Sequence, residues 1–213
     1  MSLTVCETFY SLMGESTAAG LAAFFIRLAG CNLRCRYCDT TYAYEGGMGR
    51  SIADLVGQGR TFPVRLALVT GGEPLLQADT PALLVQLADA GFTVFLETNG
   101  SLPIRDLDPR VRRIVDLKCP GSGMSAHNYW PNLKWLAPGD EVKFVISDRP
   151  DFDWAVKIIK ERDLTSRVPV LISPVFGVVT PRDAAAWILA SGLPLRLNLQ
   201  LHKYIWGPEV RGV

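Results

Sequence analysis

"LAAFFIRLAGCNLRCRYC" (residues 21–38) joins an apolar run to a loop that carries three cysteines. Residues 21–29 are apolar on both faces, as strands are when a parallel sheet is covered on both sides. The loop follows at the end of this run and contains Cys31, Cys35 and Cys38, with the spacing C-x3-C-x2-C. The segment therefore predicts a buried strand that brings three thiols to one edge of a sheet.

The alternation of apolar strands and helical segments continues along the chain. Apolar runs rich in β-forming residues lie at 21–29, 64–70, 92–97, 112–118, 141–147, 168–174 and 195–201. Capping residues and helical periodicity predict helices near 80–91, 151–162 and 180–192. Repeated strand–helix alternation predicts an α/β fold with right-handed crossovers. Since no linker or internal repeat interrupts it, residues 1–213 are expected to form a single domain, with a hairpin at the N-terminus.

Glycine-rich or polar segments follow several of the predicted strands at their carboxyl ends. The segments "TGGEP" (70–74), "TNGS" (98–101) and "CPGSG" (119–123) occupy this position, as does the cysteine loop. In a parallel barrel or partial barrel these strand ends share one face, where active sites are built. The placement predicts one site that is assembled from four loops on the same rim.

Bulk composition excludes several classes of function. The chain has 213 residues, of which 48% are hydrophobic, and its 22 basic and 21 acidic residues nearly cancel. No basic surface for nucleic acid is indicated, and the apolar runs are too short to span a membrane. The N-terminal segment lacks the pattern of a signal peptide. Five cysteines, three of them clustered, indicate a metal-binding protein of a reducing, cytoplasmic compartment.

The three clustered thiols suit either of two metal groups, because thiolates ligate both iron–sulfur clusters and zinc. A structural zinc site needs four protein ligands. The candidates for the fourth are Cys6, Cys119, His127 and His202. A 4Fe–4S cluster held by three cysteines would instead leave one iron open to another ligand. Spacing alone leaves both possibilities open.

A lone cysteine is usually a small buried hydrophobe, which is the expectation for Cys6 and Cys119.

Two motifs resemble the signatures of the radical S-adenosylmethionine (SAM) enzymes. One is the cysteine loop, with Tyr37 immediately before its last cysteine. The other is "GGEP" (71–74), which in those enzymes meets the amino group of the cofactor's methionine portion. A finer resemblance, to the 7-carboxy-7-deazaguanine synthase family, covers nearly the whole chain. It is carried by "FYSLMGES" (9–16), "FFIRLAGCNLRC" (24–35), "CDTTYA" (38–43), "TGGEPLLQ" (70–77), "LETNGS" (96–101) and "QLHKYIWGP" (200–208).

This resemblance implies a partial, open TIM-like βα barrel and a ring contraction in 7-deazapurine (queuosine) biosynthesis. The implied substrate is 6-carboxy-5,6,7,8-tetrahydropterin, and the products are 7-carboxy-7-deazaguanine and ammonia. The implied cofactors are a 4Fe–4S cluster, SAM and Mg²⁺; SAM bound at the cluster supplies the radical that abstracts hydrogen from the pterin. A homodimer and an electron donor such as flavodoxin or ferredoxin are also implied. The alternatives are another short radical SAM enzyme, such as a glycyl-radical activating enzyme, and a non-enzymatic zinc-binding module.

Matching the family's motifs residue by residue implies a role for each of several positions. The implied cluster ligands are Cys31, Cys35 and Cys38, and the implied magnesium ligand is Thr40. The implied SAM contacts are Tyr37, Cys38, Asp39, Gly72, Asp116, Leu117 and Lys118. The implied substrate contacts are Leu12, Met13, Gly14, Arg27, Thr70 and Pro208. No acid–base pair is implied.

Two of these positions depart from the family pattern. Met13 stands where the family generally has glutamine, which is tolerable if the contact is made by backbone atoms. Asp116 and Leu117 replace a Ser-Pro pair, whereas Lys118 keeps the basic residue. Nearby, Glu15 either faces solvent or pairs with the amino-pyrimidine edge of the pterin.

Arg27 is a charged residue within an otherwise apolar strand. It either reaches solvent at the end of the strand or meets an anion, because an isolated charge is costly to bury. The resemblance favours the carboxylate of the pterin as that anion. A planar guanidinium can bind a carboxylate through two parallel hydrogen bonds.

Overall fold

The predicted apolar runs lie side by side in one nine-stranded sheet in the computed structural model, which describes residues 1–213. The strands are β1 (Ser2–Leu12), β2 (Ala22–Leu28), β3 (Met48–Ser51), β4 (Leu66–Gly71), β5 (Thr93–Thr98), β6 (Arg112–Asp116), β7 (Glu141–Ile146), β8 (Val170–Pro174) and β9 (Arg196–Leu197). The helices are α1 (Ile52–Arg60), α2 (Thr80–Asp89), α3 (Arg149–Glu161), α4 (Pro181–Ser191) and α5 (Leu201–Ile205). None of these helices combines the length and the apolar character needed to cross a bilayer.

The order of the strands makes the sheet an open partial barrel with an N-terminal extension. From edge to edge the order is β3-β1-β2-β4-β5-β6-β7-β8-β9. Strand β2 and strands β4 to β9 pair in parallel, whereas β1 is antiparallel to both β2 and β3. The edge strands β3 and β9 do not pair with each other, so the sheet is not closed. The predicted α/β fold with an N-terminal hairpin is confirmed.

Helix boundaries follow the capping residues. The Thr180 hydroxyl accepts a hydrogen bond from the Asp183 N–H (3.1 Å) at the start of α4, and Gly192 ends that helix in the left-handed conformation (φ 64°). Asp148 caps α3 in the same way by accepting from the Asp151 N–H (2.8 Å). Such caps satisfy backbone groups that have no partner within the helix.

The C-terminal part of the sheet is shorter than the predicted strand over 195–201. Strand β9 has only two residues, and α5 begins at Leu201. Asn198 marks the change: its side-chain oxygen accepts from the Ser16 N–H (2.9 Å), and its amide donates to the Ser173 hydroxyl (2.6 Å). The Asn198 N–H still donates to the Ile172 carbonyl of β8 (2.9 Å), and the chain leaves the sheet after this residue.

Helix α1 is not predicted by the sequence pattern, because two glycines within it lower its helical propensity. Gly59 has a packing reason: a Cβ at this position would lie 3.0 Å from the ring of Phe24. The missing side chain lets α1 lie directly on strand β2.

Apolar residues cover both faces of the sheet. On the outer face, one core joins β2, β4 and β5 to α1 and α2, and a second joins β7 and β8 to α3 and α4. A smaller cluster fills the inner, concave face and includes Phe25, Leu68, Phe95 and Ile114, one residue from each of four neighbouring strands. This inner cluster is the floor on which the candidate site is built.

Candidate active site

A polar layer lies above the apolar floor, closer to the carboxyl ends of the strands. Two positions after each floor residue the strand carries a polar one, and these are Arg27 in β2, Thr70 in β4, Glu97 in β5 and Asp116 in β6. Residues two apart in a strand point to the same face. Strand β7 adds Lys143 to this layer. The inner face therefore changes from apolar to charged along the strand direction.

A cavity of about 310 Å³ lies over the polar layer, which is within the size range of small-molecule sites. The predicted site residues that line it are Leu12, Met13, Gly14, Arg27, Cys31, Cys35, Tyr37, Cys38, Asp39, Thr40, Thr70, Gly72, Asp116 and Lys118. Two predicted residues do not. Leu117 is buried in the apolar core on the outer face, and Pro208 is exposed on the surface.

The cysteine loop is anchored on two sides by backbone hydrogen bonds. The Glu73 N–H donates to the Gly30 carbonyl (2.8 Å), which ties the start of the loop to the "GGEP" segment. The Arg36 N–H donates to the Ser122 carbonyl (3.1 Å), which ties its middle to the "CPGSG" segment. These bonds join three of the four predicted loops, and the Asn99 amide of the fourth, "TNGS", donates to the Asn32 side chain of the cysteine loop (3.0 Å).

The three thiols of this loop face the same cavity, and none forms a disulfide. The Cys31 sulfur accepts weak hydrogen bonds from the Leu33 N–H (3.5 Å) and the Asn99 amide (3.9 Å). Burial raises the pKa of the Cys35 thiol, and the nearby Lys118 ammonium opposes that rise. A cation beside a thiol favours the thiolate, which is the form that ligates metals.

The arrangement of the possible ligand side chains distinguishes between a 4Fe–4S cluster and a zinc ion. No three Cys, His, Asp or Glu side chains are gathered so as to hold a single metal ion. Of the candidate fourth zinc ligands, Cys119 is fully buried in the outer core, while Cys6 and His127 lie outside the cavity. Only His202 reaches it. Three free thiols around one cavity fit a 4Fe–4S cluster that takes three protein ligands better than they fit a closed zinc site.

Gly72 allows the second motif to pack against the cysteine loop. A Cβ at this position would lie 2.2 Å from the Gly30 carbonyl oxygen and 2.7 Å from the Cys31 Cβ, so any side chain would displace the loop. Glycine is required where backbone must approach this closely. Gly72 therefore sets the position of the first thiol as well as lining the cavity.

Glu73 joins the "GGEP" and "TNGS" segments. Its carboxylate is fully buried and accepts hydrogen bonds from the Thr98 hydroxyl (2.9 Å), the Asn99 N–H (2.7 Å) and the Leu75 N–H (3.0 Å). Burial raises the pKa of Glu73, although these bonds work in the other direction. Its side chain does not line the cavity, so it braces the rim.

Lys143 is the centre of a buried ion cluster that sequence patterns do not predict. Its ammonium lies 2.8 Å from Glu15, in short contact with Glu97 and 3.8 Å from Asp116, and its side chain is 6% exposed. Burial opposes the charge, but the three carboxylates outweigh it and hold the pKa of Lys143 well above its ordinary value. Burial would raise the pKa of Glu97, and Lys143 lowers it instead. Glu15 is held in this cluster and does not simply face solvent.

Asp116 carries an oxygen that suits a ligand. Its Oδ2 lies 2.8 Å from the Lys118 ammonium, whereas Oδ1 is buried and has no hydrogen-bond partner in the protein. Leaving a buried acceptor unsatisfied costs free energy, and both residues line the cavity. A hydrogen-bond donor of a bound cofactor would satisfy this oxygen.

Arg27 meets an anion of the protein itself. Its Nε donates to Glu7 Oε1 at 2.7 Å, and the two side chains are 17% and 21% exposed. The Tyr42 hydroxyl donates to the same oxygen (3.0 Å), and burial is the main factor that raises the pKa of Tyr42 to about 12. Arg27 thus has a protein partner on one side and the cavity on the other.

The end of the cysteine loop is tied to the C-terminal segment. Asp39 accepts hydrogen bonds from Lys203 (2.5 Å), Gln200 (2.9 Å) and the Thr40 hydroxyl (3.0 Å). Burial would raise the pKa of Asp39, but Lys203 and these bonds lower it below its usual range. Thr40 and Asp39 lie beside each other on the cavity wall, and the Asp39 carboxylate is already paired with the Lys203 ammonium.

The N-terminal hairpin meets the same C-terminal segment. The His202 ring fills the space beside Gly14, where a Cβ would lie 2.1 Å from His202 Nδ1. The Met13 N–H donates to the Leu21 carbonyl (2.7 Å), and the Met13 carbonyl accepts from the Gly20 N–H (2.8 Å). The backbone N–H and the backbone carbonyl of Met13 are therefore both used in hydrogen bonds within the hairpin.

Sequence reasoning misses Glu7, Tyr42, Glu97 and Lys143. A usable signal exists for two of them, because Glu97 and Lys143 are charged residues inside apolar strands, as Arg27 is. Glu7 lies in an alternating strand-like stretch and Tyr42 in a polar loop, where such residues are ordinary, so neither carries this signal.

Comparison with known proteins agrees with this geometry. Residues 25–183 match the Radical SAM superfamily. The chain is 45% identical to a 7-carboxy-7-deazaguanine synthase of Chlorobaculum tepidum, over 99% of this chain and 97% of that protein. It is 38% identical to the synthase of Koribacter versatilis, over 99% of this chain and 100% of that protein. The chain belongs to the 7-carboxy-7-deazaguanine synthase family.

Solved structures support the family's fold. QueE from Escherichia coli superimposes with a TM-score of 0.78 at 22% identity, covering 93% of this chain and 94% of that one. SuiB from Streptococcus suis, in a crystal structure with S-adenosylmethionine, gives a TM-score of 0.56 at 13% identity, covering 83% of this chain and 50% of that one. At these identities the likeness concerns the open α/β barrel alone. Family membership over the full length disfavours the alternatives of a glycyl-radical activating enzyme and a zinc module.

Proposed function

We propose that the chain catalyses the conversion of 6-carboxy-5,6,7,8-tetrahydropterin into 7-carboxy-7-deazaguanine and ammonia, in queuosine or related 7-deazapurine biosynthesis. The observation that carries the proposal is one cavity that joins three free loop thiols to the Arg27 guanidinium and a buried carboxylate cluster, in a chain of this family. The product differs from the substrate in composition by one molecule of ammonia, so the reaction requires no net oxidation or reduction. A radical that is regenerated in each turnover is therefore sufficient.

The residues present fit the cofactors of a radical SAM enzyme. Cys31, Cys35 and Cys38 would hold a 4Fe–4S cluster, and SAM bound there would supply the hydrogen-abstracting radical. The open acceptor of Asp116, with Lys118 beside it, supports a role in holding SAM. Tyr37, Asp39 and Gly72 complete the proposed SAM contacts, and Leu117 contributes only from the core behind them.

The polar layer of the sheet would bind and orient the pterin. Arg27 presents a cation to the substrate carboxylate, and Thr70, whose hydroxyl donates to Glu97 (3.3 Å), lies on the neighbouring strand. The carboxylates of Glu15 and Glu97 are matched to the N–H groups of an amino-pyrimidine ring, because an ionised carboxylate only accepts hydrogen bonds. The inner apolar cluster below them excludes water from one face of the ring.

The hairpin and the C-terminal segment would close the other side of the substrate. Leu12, Met13 and Gly14 line this wall together with His202. Pro208 contributes only if the C-terminal segment moves inward, since it is exposed here. This closure would limit the access of solvent to a radical.

Further parts of the proposal concern partners. Mg²⁺ bound by Thr40 would take its remaining ligands from substrate oxygens and water, since the ion prefers octahedral oxygen coordination. We also propose a cytoplasmic homodimer that receives electrons from a flavodoxin or ferredoxin. Free clustered thiols suit the reducing cytoplasm.

The test is an anaerobic incubation of the cluster-loaded chain with 6-carboxytetrahydropterin, SAM and a reductant. The expected result is a product of the mass of 7-carboxy-7-deazaguanine, equimolar ammonia and many turnovers per SAM. The Cys35→Ala variant is the control for cluster-independent chemistry. A chain with about four irons that cleaves SAM but leaves the pterin unchanged would refute the proposal.

A further inference from the structure

Glu7 and Tyr42 contact Arg27 from behind, on the side away from the cavity. Glu7 Oε1 accepts hydrogen bonds from both Arg27 Nε (2.7 Å) and the Tyr42 hydroxyl (3.0 Å). Arg27 lines the cavity, whereas Glu7 and Tyr42 do not. The pair therefore acts on a bound ligand only through Arg27.

A β-bulge places Glu7 opposite Arg27. In the antiparallel pair β1–β2, Val5 is opposite Leu28 and Glu7 is opposite Arg27, so β1 advances two residues while β2 advances one. Cys6 is the extra residue. Without the bulge, Cys6 would stand opposite Arg27 and Glu7 would point to the outer face of the sheet. The irregularity in β1 thus has a definite result: it supplies a carboxylate to this guanidinium.

The hydrogen-bond pattern leaves one edge of the guanidinium for a ligand. Arg27 uses Nε toward Glu7, and its two terminal nitrogens donate to no protein acceptor. A planar guanidinium can bind a carboxylate either at the Nε edge or end-on through both terminal nitrogens. Because Glu7 takes the Nε, only the end-on geometry remains.

Two arginine side chains lie near the Tyr42 ring. The Arg27 guanidinium lies 5.9 Å from the Tyr42 ring centre, and the Arg211 guanidinium lies 3.9 Å from it. Such contacts attract a cation to the ring face. These contacts favour the orientation in which the Tyr42 hydroxyl donates to Glu7.

We propose that Glu7, supported by Tyr42, is a positioning residue that fixes the plane of the Arg27 guanidinium so that it receives the substrate carboxylate end-on. The inference rests on the proposed function, since it assigns the orientation of the group that recognises the pterin's carboxylate. It adds a specificity role for a residue in the N-terminal strand that never touches the substrate.

The experiment measures how strongly the chain prefers a carboxylated pterin. Binding of 6-carboxytetrahydropterin and of tetrahydropterin, which lacks the carboxylate, is measured by calorimetry on the cluster-loaded protein under anaerobic conditions. Glu7→Ala should reduce the preference about tenfold or more, by analogy with the second-shell groups that orient metal ligands, while tetrahydropterin binding stays the same. Glu7→Gln keeps an oxygen that accepts from Arg27 Nε and should retain most of the preference.

Three further variants separate positioning from general damage. Thr8→Ala changes the same strand on its outer face, where the Thr8 hydroxyl contacts Gln58 (3.2 Å), and should leave the preference intact. Glu7→Ala added to Arg27→Ala should reduce it no further, because the two residues act as one unit. Tyr42→Phe should reduce it partly and serves as the test if Glu7→Ala fails to fold.

Each adverse outcome has a distinct meaning. An unchanged preference in Glu7→Ala, or in Tyr42→Phe if that variant carries the test, overturns the positioning role. So does an equal loss of binding for both pterins. A wild-type chain that fails to bind 6-carboxytetrahydropterin overturns the proposed function, and with it this inference.

Discussion

Replacing Lys143 by methionine tests whether the ion cluster under the cavity is a paired unit. The side chain is 6% exposed, and its ammonium contacts Glu15, Glu97 and, at 3.8 Å, Asp116. Methionine fills a similar volume without the charge. The variant therefore leaves three carboxylates close together without their central cation.

The size of the effect follows from burial. Removing one partner of a buried ion pair typically costs about 3–5 kcal/mol, because the remaining charge is left uncompensated. The Glu15 and Glu97 side chains are 20% and 25% exposed, so water reaches both of them. We expect a loss near the lower limit, about 3 kcal/mol in the free energy of unfolding at pH 7.

The effect should depend on pH with a definite sign. In the wild type the pKa of Glu97 lies below its ordinary value, so its stabilisation is present above the unfolded pKa and is lost as pH falls through the folded pKa. Without Lys143, burial is opposed only by the more weakly acting Arg27 and Lys118, and we expect the pKa of Glu97 to rise above its unfolded value. In the Lys143→Met variant, the contribution of Glu97 to the free energy of unfolding is then favourable at low pH and is lost as pH rises. The difference between the two proteins should shrink from pH 7 to pH 5.

Urea unfolding, followed by circular dichroism under anaerobic conditions at both pH values, measures this difference. Lys157→Met is the matched control, because Lys157 pairs with Glu161 at 3.8 Å on an exposed helix surface and is itself 68% exposed. The control should change stability by no more than about 0.5 kcal/mol. Lys143 does not hold the carboxylates as a paired unit if Lys143→Met costs no more than the control, or if its cost grows toward pH 5.

Three further predictions concern the proposed chemistry. Cys35→Ala should lose the cluster absorbance and all turnover, whereas Cys6→Ala should keep both; full activity in Cys35→Ala would remove the cluster assignment. Mg²⁺ should raise the turnover rate and Thr40→Ala should weaken that response, so equal rates with Mg²⁺ and with a chelator would remove the metal. Arg27→Ala should weaken binding of the carboxylated pterin by about 2–5 kcal/mol, as expected for a lost charge-assisted contact, with iron content and SAM binding unchanged. Unchanged pterin affinity in that variant would return Arg27 to a structural role.

The sequence by itself determined those features that depend on neighbours along the chain. The spacing of Cys31, Cys35 and Cys38 sets which thiols share a loop, and the run "TGGEP" marks a turn at the end of an apolar strand. Runs of apolar residues predict buried strands because burying them is favourable wherever they lie. These signals are local, and the α/β fold and the rim of four loops follow from their order.

Only the tertiary structure decided which side chains meet across the site. Asp39 and Lys203 are 164 positions apart, and Lys143 and Glu15 are 128 apart. No local pattern encodes such pairs, because they depend on which strands are neighbours and on their register. Glu7 shows this most clearly: a one-residue bulge moves it from the outer to the inner face of the sheet and makes it the partner of Arg27.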